Sequence, residues 1–162
     1  MTRADQKKLE DIADGLMDSF PVFFRRVTRG ATHPSARKFD PSRIALKAVL
    51  MHGPLRMSMI GRHIGISKPY MTALVDNLIS EGLVERVQDP DDRRAVIVRA
   101  TDAGKEEMKE FTKSARQAVI KNLSSLDSND ISALHEMVLN IKDVISKLDK
   151  EEASKRRTKK GA

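Results

Sequence analysis

IGRHIGISKPYMTAL, at residues 60–74, has the spacing of two short helices that meet at a tight turn. Gly61 is small at the point where the second helix must cross the first closely, and Gly65 can adopt the positive φ that ends a helix. Ile66 follows the turn and is expected to fill the core. The apolar residues that face inward from the two helices are Ile60, Ile64, Met71 and Leu74. This shared register favours a helix-turn-helix over an ordinary helical hairpin with a glycine turn.

The opposite face of the second helix is expected to be exposed. With the residues that open the helix, it supplies the side chains predicted to contact DNA: Ser67, Lys68, Pro69, Tyr70, Thr72, Ala73 and Asn77. In a helix-turn-helix the N-terminal part of the second helix enters the major groove, and its N-terminus favours a phosphate. Because this face has no arginine, we expect readout by Lys68, Tyr70, hydroxyl groups and DNA shape. Plain solvation of a helix surface is the alternative for Lys68 and Thr72.

A β-hairpin is predicted directly after this unit. Residues 83–87 and 95–99 are rich in β-branched side chains, and DPDDRR at 89–94 has the chemistry of a turn. Arg93 and Arg94 stand where the tip could reach a narrow minor groove, and Asp92 could hold an arginine in a fixed orientation. A solvated charged turn is the alternative, but the position behind a helix-turn-helix favours contact with DNA.

Helices are predicted on both sides of this unit. An apolar stripe at residues 9–27 indicates a helix that Pro21 should kink or divide. A second stripe covers residues 108–123, and a two-heptad seam at residues 131–148 suits packing against another helix. The expected fold is mostly α with a small β-hairpin wing, in which a winged helix-turn-helix lobe is flanked by N- and C-terminal dimerisation helices.

Four parts of the chain are predicted. They are an N-terminal dimerisation helix and loop (1–40), the DNA-binding lobe (41–101), C-terminal dimerisation helices (102–150) and a basic disordered tail (151–162). Within the tail, residues 155–160 hold five of the 30 Lys and Arg residues and no acidic residue, so the remaining 25 basic residues face 23 acidic ones. The net charge of +7 therefore says little about the body of the protein, while the tail could add non-specific DNA affinity by counterion release.

Composition and missing motifs disfavour several classes of protein. The chain has no cysteine, which excludes disulfides, thiolate metal sites and thiol redox sensing. Because it has no run of about 18 apolar residues and no apolar signal core, we expect a cytoplasmic protein without a membrane span. No nucleophile elbow or phosphate loop is present, so we expect neither an enzyme nor a cofactor. The histidines form no metal-ligand motif: His33, His52, His63 and His135.

A family resemblance covers about residues 41–104. It is carried by a combination of segments: HGPL at 52–55, Ser67, LVDNL at 74–78, EGLV at 81–84, DPDDRR at 89–94 and TDAG at 101–104. Together these resemble the MarR (multiple antibiotic resistance regulator) family of winged helix-turn-helix transcriptional regulators. The resemblance implies a homodimer on a palindromic operator in double-stranded DNA, with the second helix in the major groove, the wing in the minor groove, and repression as the favoured outcome.

The resemblance also implies roles for particular residues. Arg94 would insert into the minor groove, and Asp92 would orient it. Many members respond to small phenolic or other aromatic ligands bound between the dimer helices and the DNA-binding lobe. The candidates to line such an effector pocket are Met17, Phe20, Phe24 and Met51, for which core packing is the alternative.

The second helix departs from the family at several positions. Pro69 and Tyr70 stand where small hydroxyl residues are common, and Ala73 stands where arginine is common. Asn77 replaces another frequently basic residue. These departures leave the operator sequence open. A winged-helix protein-interaction module and a non-specific architectural DNA binder are the alternative functions.

Overall fold

The computed structural model describes residues 2–37, 40–64, 67–90, 92 and 95–160. Its backbone divides into two compact units, residues 1–122 and 123–162. The first unit holds α1 (Arg3–Val27), a short 3-10 turn (Pro34–Arg37), α2 (Pro41–His52), β1 (Leu55–Arg56), α3 (Met57–Ile64), α4 (Lys68–Ser80), β2 (Val84–Gln88), β3 (Val96–Ala100) and almost all of α5 (Asp102–Leu123). The second unit holds α6 (Ser128–Lys160). The predicted mostly α fold with a small hairpin is confirmed.

Helix α1 is one continuous element of 25 residues. Its start is fixed by a capping box, in which Asp5 N donates to Thr2 Oγ1 at 3.1 Å and Thr2 N donates to Asp5 Oδ2 at 3.0 Å. The Thr2 hydroxyl, which donates to Asp5 Oδ2 at 2.7 Å, and the Thr2 N–H together lower the pKa of the Asp5 carboxyl. The expectation that Pro21 divides the helix is wrong. A proline removes one backbone donor, and the hydrogen bonds on either side carry the helix through.

The ends of α2 follow from local sequence. Asp40 Oδ1 accepts a hydrogen bond from Ser42 N at 2.9 Å, and Pro41 occupies the first turn, where its missing N–H costs nothing. Gly53 ends the helix with φ near 78°, a conformation that side chains other than glycine rarely adopt. Asp40 and Gly53 therefore fix where the helix begins and ends.

The core of the first unit lies between α2, α3, α4 and the sheet. Ile60, Met71 and Leu74 are buried, as the helix-turn-helix spacing predicted. They pack with side chains from the neighbouring elements, including Leu46, Val49, Val75, Leu78, Val84 and Val98. Full burial of each such side chain contributes about 1.5–3 kcal/mol, which makes this cluster the main source of stability. Gly65 and Ile66, also predicted at the turn, lie outside the described residues, as does the side chain of Ile64.

The three strands form an antiparallel sheet in the order β1-β3-β2. In the hairpin Val84 pairs with Ala100 and Gln88 pairs with Val96, which confirms the predicted wing. The first strand was not predicted. It has only two residues, with Leu55 opposite Val98, and so short a strand leaves no alternation to detect.

Helix α6 begins where Asp127 Oδ1 accepts hydrogen bonds from the backbone N of Asn129 (2.8 Å) and Asp130 (2.9 Å). It runs to Lys160, whereas the sequence predicted disorder from residue 151. No glycine or proline interrupts residues 128–160, and lysine, arginine, glutamate and alanine extend an existing helix readily. None of the described helices is both long and apolar enough to cross a membrane.

Candidate nucleic-acid interface

Helix α4 has one buried and one exposed face. The buried face contains Met71, Leu74, Val75 and Leu78. The exposed side, with the residue before the helix, holds six of the predicted DNA contacts: Ser67, Pro69, Tyr70, Thr72, Ala73 and Asn77. Tyr70, the only tyrosine of the chain, is 51% exposed although its side chain is large and partly apolar. Lys68 opens the helix, and its side chain lies outside the described part of the structure.

Two polar residues in the C-terminal half of α4 make contacts within the protein. Asn77 Nδ2 donates to Glu81 Oε1 at 2.7 Å, and Arg86 Nη2 of β2 donates to Asp76 Oδ1 at 2.6 Å. Sequence reasoning placed Asn77 against DNA but did not predict either pairing. The Asp76–Arg86 pair is exposed and contributes about 0–1 kcal/mol at most. In the N-terminal half of the helix the exposed residues are Pro69, Tyr70, Thr72 and Ala73.

The turn of the wing is closed by its own backbone. Asp89 N donates to Ala95 O at 3.0 Å, Asp92 N donates to Asp89 O at 3.3 Å, and Ala95 N donates to Asp92 O at 2.8 Å. These hydrogen bonds join residues 89, 92 and 95 where the two strands of the hairpin end. The predicted groove-reading residues Arg93 and Arg94 lie outside the described residues.

Arg56 of β1 anchors this turn, and sequence reasoning missed it. Its Nε donates to Asp89 Oδ2 at 2.9 Å, and its Nη2 lies 3.4 Å from Asp92 Oδ2. The Asp89 side chain is only 11% exposed, so this charge-assisted pair is partly shielded from water. Asp92 was predicted to orient an arginine, and the arginine that the described structure places beside it is Arg56. A contact across 33 residues has no local signal in the sequence.

The TDAG segment fixes the corner between α4, β2 and α5. Thr101 Oγ1 donates to Gly82 O at 2.7 Å, and Thr101 N donates to Leu83 O at 3.1 Å. The same hydroxyl oxygen accepts from Gly104 N at 3.0 Å and so caps α5. A Cβ built on Gly104 would collide with the Leu83 carbonyl oxygen. Only glycine therefore allows α5 to approach the Leu83 backbone this closely, which gives the glycine of the TDAG segment a structural role.

The four effector-pocket candidates lie on α1 and α2. Met17 and Met51 are 74% and 68% exposed, Phe20 is also exposed, and Phe24 is half-buried. The core of the described chain therefore does not account for the two methionines. An effector site formed by these residues stays a prediction.

The described residues include no group of three or more His, Asp or Glu side chains that could hold a metal ion. Of the four histidines, His33 instead has a hydrogen-bonding environment inside the first unit, with its Nε2 3.1 Å from Glu107 Oε1.

A helix-turn-helix with an exposed second helix, followed by an anchored hairpin, defines the class of winged helix-turn-helix proteins. Residues 45–96 match the model of the MarR family. The resemblance to this family that was drawn from the sequence is confirmed over this segment.

Curated proteins similar in sequence are named HTH-type transcriptional regulators. The HTH-type transcriptional regulator YkoM of Bacillus subtilis (strain 168) is 29% identical over 102 residues, which are 60% of this chain and 66% of YkoM. The matches cover 60%, 64% and 66% of three such relatives, so the chain spans less than two thirds of the length of each. Their names agree with the prediction that the chain is not an enzyme.

Solved structures share the fold. The transcriptional regulator BldR from Sulfolobus solfataricus is 26% identical with a TM-score of 0.61, and the match covers 91% of this chain and 99% of BldR. The PcaV transcriptional regulator from Streptomyces coelicolor, in complex with its natural ligand, is 19% identical with a TM-score of 0.54 and coverages of 82% and 89%.

Proposed function

We propose that this chain is a sequence-specific DNA-binding transcriptional regulator. It binds a palindromic operator in double-stranded DNA as a homodimer, acts as a repressor, and is released by a small phenolic or aromatic effector. Its predicted cytoplasmic location rests on the same proposal.

The observation that carries DNA binding is the exposed N-terminal half of α4. The opposite face of this helix is packed in the core, and the wing that follows it is anchored to β1 by Arg56. Tyr70 and Thr72 present hydroxyl groups that can donate to bases or phosphates, and Ala73 offers a methyl group to thymine. Within the described part of the chain, Ser67 makes no side-chain capping hydrogen bond, so its hydroxyl does not compete with a phosphate for the Tyr70 N–H. Pro69, the other residue that such a cap would serve, has no N–H. A rigid element with polar groups on one face suits insertion into the major groove.

The homodimer is supported by apolar side chains that the single chain leaves exposed. On α1 they follow helical spacing over several turns: Leu9, Ile12, Leu16 and Phe20. On α6, described by itself, the exposed apolar residues include Ile131, Val138, Ile141, Ile145 and Leu148. A two-fold dimer presents two copies of α4, which we call the recognition helix, and therefore requires two inverted half-sites.

Repression follows if the dimer covers promoter DNA. Expression of a reporter gene placed behind the selected operator should then fall when the protein is present.

Release by an effector is supported by the exposed Met17 and Met51, which a partner helix and a ligand could cover together, and by the ligand complex of the PcaV neighbour. Small aromatic carboxylates and phenols should lower operator occupancy in a gel-shift or fluorescence-anisotropy assay. Substitution of Met51 by alanine should raise the concentration of effector required. If no compound of this class changes occupancy, the chain regulates without such a ligand.

The test of DNA binding is selection from random-sequence duplexes at about 0.15 M salt, a condition that leaves moderate screening. Enrichment of a palindrome with half-sites about one helical turn apart is the expected result. The double variant Tyr70→Ala/Thr72→Ala, which alters only exposed side chains of α4, should lose the enrichment. Binding with no enriched sequence would indicate an architectural DNA binder, and failure to bind would indicate a protein-interaction module.

A further inference from the structure

Arg43 of α2 is a buried arginine that joins three elements of the first unit. Its Nη2 lies 2.8 Å from Glu107 Oε1 on α5, 3.1 Å from Glu81 Oε2 at the end of α4, and 3.3 Å from Ser35 Oγ. The Arg43 side chain is only 9% exposed. One guanidinium nitrogen thus ties the end of the recognition helix to α5 and to the connection between α1 and α2.

Glu81 relays this contact to the exposed face of α4. It is the residue that caps the C-terminal end of the helix, and its second oxygen, Oε1, holds Asn77 Nδ2 at 2.7 Å. A displacement of the Glu81 carboxylate therefore changes both the end of the helix and the orientation of a side chain predicted to contact DNA. We refer to His33, Ser35, Arg43, Glu81 and Glu107 as the Arg43 linkage.

The remaining donors of Arg43, Nε and Nη1, raise the question of whether the buried guanidinium binds a ligand or fixes the geometry of the protein. Among the described residues, Nε and Nη1 have no hydrogen-bond partner, and Asp40 Oδ2 at 4.0 Å is too distant for one. An anionic ligand would meet three carboxylates, those of Asp40, Glu81 and Glu107, around a single guanidinium, so the local charge opposes it. Since a buried ion pair adds little to stability compared with apolar packing, the advantage of this one lies in fixing geometry.

His33 brings a titratable group into the linkage. Its Nε2 lies 3.1 Å from Glu107 Oε1, the same oxygen that contacts Arg43, and its Nδ1 accepts a hydrogen bond from Ser35 N at 3.3 Å. Phe111 packs edge-on against the ring, with centroids 5.7 Å apart. The charged groups that face His33 are Glu107 on α5 and, behind it, Arg43 on α2, with Asp40 and Glu81 on the far side of Arg43.

The hydrogen bonds described are those of a neutral imidazole. Nδ1 accepts from Ser35 N, which a ring protonated at Nδ1 could not do, while Nε2 lies 3.1 Å from Glu107 Oε1. Protonation would place a hydrogen on Nδ1 opposite the N–H of Ser35, so that two donors face each other. It would also place a second cation on the Glu107 oxygen that Arg43 uses. The ring must then shift, and the grip of Arg43 on Glu107 weakens.

We propose that Arg43 is a positioning residue for the recognition helix, and that protonation of His33 loosens it through Glu107 and so weakens DNA binding in acid. This inference rests on the proposed function for its effect on DNA. Its structural part, the coupling of His33 to the end of α4, stands independently of DNA.

The DNA test measures affinity of the full-length protein for the selected duplex from about pH 8 to about pH 5, the range in which histidines titrate. Affinity of the wild type should fall about five-fold on acidification, the scale of a modest coupling between sites. This direction is informative because general protonation of a DNA-binding protein would strengthen its attraction to phosphates. His33→Gln, which keeps a neutral donor toward Glu107, should bind with little pH dependence. His135→Gln, which alters an exposed histidine on α6, should keep the wild-type profile.

The DNA-free test follows the protein by NMR over the same pH range. The Asn77 side-chain amide and the Glu81 backbone amide should shift with the midpoint of the His33 ring signals, and this shift should vanish in His33→Gln. Arg43→Lys retains a cation that can serve Glu81 or Glu107 and should keep part of the shift, whereas Arg43→Met should lose it.

The two tests separate the two proposals. Titration of the α4 signals with His33 in a protein that binds no DNA would overturn the proposed function and retain the linkage. DNA binding whose pH profile is unchanged in His33→Gln would retain the function and overturn the linkage. Signals of α4 that do not follow His33 would also overturn it.

Discussion

Gly104 shows how the absence of a side chain can position a whole element. The first turn of α5 lies directly against the Leu83 carbonyl, and Thr101 bonds both to this backbone and to Gly104 N. Any Cβ at this position must push α5 away from the start of β2. Because Leu83 presents rigid backbone and not a flexible side chain, the collision cannot be relieved cheaply.

Gly104→Ala should therefore lower the free energy of unfolding by about 1–3 kcal/mol, the usual cost of overpacking. Urea denaturation measures this. Gly15→Ala is the matched control, because the space around Gly15 is open and it lies inside α1. Alanine there should raise the free energy of unfolding by about 0.5–1 kcal/mol. Equal effects of the two substitutions would show that the corner is not tightly packed.

Arg94→Ala tests whether the wing reads a groove. If Arg94 enters the minor groove, its loss should weaken binding to the selected operator by about 1–3 kcal/mol. Arg99→Ala is the control, since Arg99 is an exposed arginine of β3 whose side chain is paired with Glu85 at 2.8 Å. It removes the same charge away from the tip and should have a much smaller effect. Wild-type affinity in Arg94→Ala would reduce the wing to a solvated turn.

Among the elements, the wing depends on β1 for its orientation. Arg56 is the side chain that connects this two-residue strand to Asp89 and Asp92 of the turn. Removing it takes charged donors away from the mostly buried Asp89 carboxylate, while the backbone hydrogen bonds of the turn remain. The wing should then keep its strands but lose the side-chain contacts that hold Asp89 and Asp92 to β1.

Arg56→Ala should accordingly cost about 1–3 kcal/mol of unfolding free energy, the penalty for removing a charged donor from a mostly buried acceptor, and should also weaken operator binding. Arg86→Ala breaks the exposed pair with Asp76 and should cost less than about 1 kcal/mol. Chemical denaturation and anisotropy on both variants give the comparison. A larger loss of stability in Arg86→Ala would contradict the anchoring role of Arg56.

The elements also show what the sequence can reveal. The helices α3 and α4 and the burial of Ile60, Met71 and Leu74 were predicted because apolar spacing and a glycine at a helix end are local signals. The strand β1 and the Arg56–Asp89 pair were not, because they depend on a contact across 33 residues. The sequence also did not predict that α1 continues through Pro21 and α6 to Lys160. Helix propensity shows where a helix is locally weakened, but an established helix tolerates one missing backbone donor and extends through residues that favour helices.

The candidate site divides in the same way. The exposed face of α4 follows from a period of 3.6 residues, which places Tyr70, Thr72 and Ala73 opposite a buried row. The internal partners of Asn77 and the surroundings of Arg43 could not be predicted. Charged residues scattered along a sequence read as solvated, and only the folded chain brings Arg43 and Glu107 together.

For the whole molecule, the exposed apolar row of α1 predicts association. Light scattering should give the mass of two chains of 18.1 kDa each. Phe20→Asp places a charge in the row and should shift the protein towards a single chain, because burying an unpaired charge in an interface is costly. Lys7→Asp, on a polar part of the same helix, should leave the mass unchanged. A wild-type mass of one chain would contradict the dimer.

The basic end of the chain should affect the salt dependence of DNA binding more than its specificity. Each phosphate contact adds about 0.9 to the slope of log affinity against log salt. Deleting residues 155–162 removes five cations and should flatten the slope while leaving the selected sequence the same. Replacing the five cations by glutamine in the full-length chain provides a control for length. An unchanged slope would show that this segment makes no contact with DNA.

The corner formed by Gly82, Leu83, Thr101 and Gly104 has a consequence for the partner and not only for the protein. It joins the end of α4 and the start of the hairpin through hydrogen bonds and a close backbone approach, so the two DNA-facing parts of one lobe keep a fixed separation. In the proposed complex, the double helix is then the partner that must adapt wherever its grooves do not match this separation. Operators with stiff or wide-grooved sequence beside the half-site would pay an elastic penalty, even where no side chain touches a base.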